Sequence, residues 1–169
     1  MGKEADDNIL PTLRVIAFTL QEAASQNKLL IGRDVTLSRF HTLSPPKIPI
    51  LKYLGYLHTN GNCPRSVFIV ALILLDRLLI QQPQIKITPN TVHKLFLCSL
   101  LTASKFTTDM YYNNITWATI GGIRLEELNV LELEFLFLLG FTIVVTKEEF
   151  NKYDHELSVK ASLPEFHEG

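Results

Sequence analysis

The stretch TPNTVHKLFLCSLLTASKF, residues 88–106, is apolar around most of a helix's circumference. Val92, Leu95, Phe96, Ser99, Thr102, Ala103 and Phe106 share one face at helical spacing, and the other carries Lys94, Cys98, Leu101 and Lys105. A helix that is apolar on both sides must be enclosed by others, so the chain is constrained to a bundle with this segment at its middle. Ser99 and Ala103, one turn apart, leave room for a neighbouring helix to come close. Thr88 is expected to cap the segment, with Pro89 at its first position.

The rest of the chain supplies the enclosing helices. Residues 1–10 read as a frayed tail, and Pro11 opens a helix to residue 31 that turns Leu13, Ile16, Ala17, Leu20, Ala24 and Leu29 inward before Gly32 ends it. A proline-bounded connector leads to a helix burying Ile50, Leu51, Leu54 and Leu57, stopped by Asn60 and Gly61. The next begins near Pro64 or Ser66, carries Phe68, Ala71, Leu72, Leu75 and Leu79, and breaks at the polar residues 81–86. A short helix is expected from Thr116 to Gly121 and Gly122. A stronger one over 125–139 has the stripe Leu128, Leu131, Phe135 and Leu139, with Gly140 closing it. Residues 142–145, TIVV, suit a short extended link. Thr146 followed by Glu149 is a capping box for a last helix to about residue 157, with the final dozen residues loose. The prediction is an all-α fold: an N-terminal tail, helix and connector over 1–42, a compact five-helix block over 43–141, and a C-terminal extension with a short helix over 142–169.

Charge and chemistry narrow the function. Only 20% of the 169 residues are charged against 47% hydrophobic, which leaves apolar surface and favours a constant protein partner. A net charge of −1 argues against nucleic acid. Two cysteines, an acidic polar start and no long charge-free apolar run point to a reducing intracellular setting, cytoplasmic or nuclear, without a membrane. The sequon at Asn114 is then expected to be incidental. The histidines are dispersed, His58 with Cys63 is not a full metal pattern, and no hydrolase or phosphate-loop motif is present. The expectation is therefore no catalysis, no metal and no cofactor.

Two charges stand out. Glu132 lies beside the core stripe of its helix, whereas Glu134 lies well off it. A carboxylate at a core margin must find a donor or stay wet, so it either reaches solvent by its own length or meets a partner's donors. Lys105 ends a helix, where a cation suits the dipole and can also point three donors at another protein's carbonyls. Asp76 and Arg77, flanked by apolar residues, are expected to be structural, with Asp76 paired to a base or to backbone donors. Asp109 reads as a turn residue; with Tyr111 and Tyr112 it is a possible contact surface.

At LLDRLL (74–79), LTASKF (101–106) and LNVLELEFLFLLGF (128–141) the order and spacing resemble a cyclin box. That family has an aspartate–arginine pair late in its second box helix, here Asp76–Arg77, and an alanine/serine–lysine–phenylalanine ending the third, here residues 103–106. It also has a glutamate in the fifth nine residues before a phenylalanine, here Glu132 and Phe141. The first-box-helix arginine of cell-cycle cyclins has no equivalent in PKIPILKYL, and the resemblance leaves Lys47 as the substitute partner for Asp76. SRFHTLSPPKIPILKYL, the run through TTDMYYNN, WATIGGIRLEELNV and KEEFNKY are most similar to P/U-type cyclins related to the yeast phosphate-system cyclin. The resemblance implies an activating subunit that forms a heterodimer with a cyclin-dependent serine/threonine kinase, alongside possible kinase substrates or inhibitors. It implies that Lys105 and Glu132 hold the kinase's regulatory helix, with Phe106, Leu101, Leu128, Leu131 and Phe135 supplying or backing an apolar contact. The alternative is a scaffold of the same fold that activates nothing; it has no need of both charges.

Overall fold

The computed structural model describes residues 9–28 and 38–167. Seven helices follow one another among them: α1 (Ile9–Lys28), α2 (Ile50–Gly61), α3 (Arg65–Gln81), α4 (Val92–Thr107), α5 (Asn114–Gly121), α6 (Leu125–Leu138) and α7 (Lys147–Ala161), with a 3-10 turn at Pro164–Phe166. No strand occurs among the described residues; 142–146, expected as a short extended link, carry no regular secondary structure, and the Thr142 and Ile143 N–H groups bond locally to the Leu139 and Phe141 carbonyls. The fold is all-α.

α4 is the central element, as its two-sided apolarity requires: twelve of its sixteen residues are buried. It packs chiefly on α3 and then on α6. The small residues at 99 and 103 are both buried, and Ser99 Oγ donates to the carbonyl of Ala71 on α3. Phe68 of α3 stacks on Phe96 of α4 at 5.9 Å between ring centroids. α1 lies against α2 and α7. Phe40 carries the connector into the core, its ring edge-on to Phe135 at 6.4 Å.

Several helix ends differ from expectation. α1 is already helical at Ile9, two residues ahead of Pro11, with Ile9 and Leu13 both buried in the core. The expected end at 29–32 lies outside the described residues. α4 starts at Val92 rather than at Thr88. Thr88 still caps the turn that leads into it: its hydroxyl accepts from the Asn90 N–H at 3.2 Å, and Thr91 Oγ1 accepts from the Thr88 N–H at 2.8 Å. α5 starts two residues early because Asn113 caps it, accepting from the Thr116 N–H at 3.0 Å. α6 ends as expected, with Gly140 at φ 60° and then Phe141 at φ 58° closing the turn, the Phe141 N–H reaching the Leu136 carbonyl. Thr146 does cap α7, accepting from the Glu149 N–H at 3.2 Å, but α7 runs on to Ala161. The residues expected to be loose pack on α1: Phe166 meets Phe18 at 5.8 Å, and Arg14 donates to the Phe166 carbonyl.

Candidate functional site

The last turn of α4 and the middle of α6 meet through their charges. Lys105 Nζ donates to both oxygens of Glu132, at 2.7 Å to Oε2 and 3.0 Å to Oε1. The side chains keep only 26% and 18% of their surface, so the pair is mostly desolvated yet reachable. Helix packing explains the meeting. Leu101 sits one turn before Lys105, Leu128 one turn before Glu132 and Leu131 directly before it; all three are buried where α4 and α6 contact. Glu132's place beside that stripe carries its carboxylate out to the edge of the contact, under the end of α4. Asn114, the first residue of α5, completes the cluster: its Nδ2 donates to Asn129 Oδ1 at 2.8 Å and reaches Glu132 Oε1 at 3.5 Å. The sequon nitrogen thus has two acceptors within the chain.

The expected contact residues divide by burial. Leu101, Leu128, Leu131 and Phe135 are fully enclosed and present no surface to a partner; they hold α4 and α6 in register beneath the pair. The exposed apolar groups are Phe106, 55% exposed, and, overlooked in the sequence reading, Leu133 at 64% and Phe137 at 72%. Phe137 stands edge-on to exposed Phe141 at 6.5 Å. Their signal was present: Leu133 and Phe137 are one turn apart, off the core stripe and without charge. Asp109, Tyr111 and Tyr112 are exposed in the loop after α4.

Asp76 needs a correction. Its partner is not a base: Tyr153 of α7 donates its hydroxyl to Asp76 Oδ2 at 2.8 Å. Lys47 is exposed and takes no part. Burial raises the Asp76 pKa, the Tyr153 hydrogen bond opposes that rise, and nearby Glu156 adds to it. Arg77 turns outward to Glu149 and to the Thr142 carbonyl, 2.7 Å away. The two residues thus tie α3 to α7 and to the link before it.

A larger cleft, about 740 Å³, lies elsewhere, between α2, α4 and α5. Three of its ionisable groups are engaged: Lys94 pairs with Glu127, and His93 Nε2 donates to the Ile48 carbonyl at 2.8 Å. Burial lowers the His93 pKa, and the Ile48 bond pulls the other way. Burial pushes the Cys63 thiol up to about 12, a poor nucleophile. Among the described residues no group of three metal-ligating side chains converges, and no helix is long and apolar enough to cross a membrane.

The family model for cyclins matches residues 13–143. Cyclin-U4-1 of Arabidopsis thaliana is 41% identical over 167 residues, which are 96% of this chain and 83% of that protein. Cyclin-P4-1 of Oryza sativa subsp. japonica is 35% identical over 156 residues, covering 89% and 74%. Cyclin-U4-2 of Arabidopsis thaliana is 41% identical over 117 residues, 69% of this chain and 54% of that protein.

Proposed function

Because the chain belongs to the cyclin family, its relatives being of the P and U types, we propose that it is the activating subunit of a cyclin-dependent serine/threonine kinase. The observation that carries this reading is the Lys105–Glu132 pair, held where α4 and α6 meet and flanked in sequence by exposed Phe106 and Leu133. Such a surface suits a helix of the partner: apolar side chains cover Phe106, Leu133 and Phe141, while the ammonium and carboxylate take backbone carbonyls and N–H groups at its edge. The chain brings no reacting group. Its part is positional: docking fixes the kinase's regulatory helix and activation segment, so that the kinase's own lysine–glutamate pair and metal-binding aspartate align for phosphoryl transfer. Work of this kind places the chain inside the cell, in cytoplasm or nucleus.

Reconstitution tests it. The purified chain is mixed with candidate cyclin-dependent kinases, and both binding and peptide phosphorylation are measured. Lys105→Ala and Glu132→Ala each weaken activation by about 5- to 150-fold, the range expected for losing charged hydrogen bonds at a desolvated contact. A kinase that binds without gaining activity makes the chain a scaffold instead. Full activation by the double variant removes the pair from the interface.

A further inference from the structure

Asn114 is neither of the paired charges, yet its amide touches one of them. It projects from α5, whereas Lys105 stands on α4 and Glu132 on α6. Its Nδ2 spans Asn129 Oδ1 at 2.8 Å and Glu132 Oε1 at 3.5 Å, two acceptors about one turn apart on α6. Its Oδ1 is buried and finds no donor among the described residues. Turning the amide over would not help, because the oxygen would then face Asn129 Oδ1 and the carboxylate, acceptor against acceptor. The partners the amide does find, Asn129 and Glu132, are both met by its nitrogen.

That nitrogen supplies something the ion pair lacks. Lys105 and Glu132 have long, flexible side chains, and their mutual grip fixes each to the other without fixing either to the body of the protein. The donor from α5 reaches the same Oε1 that accepts from Lys105 at 3.0 Å, and so gives the carboxylate a second direction. We propose that Asn114, steadied by Asn129, is a positioning residue: it anchors the Glu132 carboxylate so that the Lys105–Glu132 pair stands preformed before a partner arrives. The functional half of the proposal rests on the kinase-binding reading; the structural half does not.

The test uses the full chain in two arms. Without kinase, the Lys105 side-chain ammonium is followed by proton–nitrogen NMR, where a held salt bridge slows hydrogen exchange. Asn114→Ala speeds that exchange by about 3-fold or more, as expected for losing one hydrogen bond to a charged group, while leaving the melting temperature near that of the parent. Unchanged exchange overturns the proposal. Should Asn114→Ala fail to fold, Asn129→Ala at an exposed position removes the amide's other acceptor and is read in the same way. With a kinase that passes reconstitution, Asn114→Ala weakens binding by about 3- to 10-fold in the parent but less than 2-fold in a Glu132→Ala background, because a residue acting through Glu132 has nothing left to position. Equal losses in both backgrounds mark a merely structural role and refute it. If Glu132→Ala itself leaves binding intact, the kinase reading fails, and the ammonium exchange still decides the positioning.

Discussion

Replacing Lys105 and Glu132 together by Met and Gln separates what the pair does for folding from what it does for a partner. At 2.7 Å the bare attraction is about 6 kcal/mol with an effective dielectric of 20. Stripping water from two ions costs several kcal/mol each when burial is complete. Here about a quarter of the lysine and a fifth of the glutamate stay wet, so both terms shrink and nearly cancel. Glu132→Gln alone leaves a mostly covered ammonium without an anion. Lys105 can swing its head outward along its stem, so the cost is about 1–2 kcal/mol rather than the 3–5 of a sealed site. For a chain of this size that lowers the melting temperature by about 3–6 °C. Lys105→Met/Glu132→Gln conserves volume and removes both charges, and is expected within about 1 kcal/mol of the parent. Urea denaturation of parent, singles and double, followed by far-UV circular dichroism, closes the cycle with a coupling of about 1–2 kcal/mol. The same double variant should fail to raise the kinase's phosphorylation rate. Neutral single variants would mean that solvent, not protein, surrounds the pair; a double variant that activates normally would refute the role given to it.

Gly121 and His93 offer checks on packing and charge. A Cβ at Gly121 would come 2.5 Å from Leu97 Cδ2 and 3.0 Å from Cδ1 of a side chain with no exposed surface, so Gly121→Ala should cost about 1–3 kcal/mol, and Leu97→Val should recover part of it. An unchanged denaturation midpoint would contradict that fit. His93 has its pKa lowered by burial, so the unfolded chain binds the proton first: its contribution is intact above about pH 6.5 and is lost as pH falls below that value. The groups facing it are Tyr53, 4.9 Å away ring to ring, and the Ile48 carbonyl. His93→Gln should therefore lose less stability than the parent between pH 7.5 and 5.5, with a ceiling of about 1.4 kcal/mol per pH unit on the difference. Parallel losses would show that other groups govern the acid limb.

Much of the fold was legible from residues alone, because helices are written in local spacing. The apolar circumference of 92–106 determined that α4 is central, Gly140 marked the end of α6, and Thr146 with Glu149 marked the start of α7. The ordered motifs around Asp76, Lys105 and Glu132 carried the family. An end was missed where side chains answered to distant partners: the tail past 157 was ordered by α1. Periodicity assigns a residue to a face of its own helix; it carries no information on where two helices cross. Only the tertiary structure therefore decided that Lys105 meets Glu132, 27 residues on, and that Asp76 meets Tyr153, 77 residues on. It likewise decided that a third helix brings Asn114 to the pair. Those outcomes depend on the angle and register of packed helices, which the whole core sets at once.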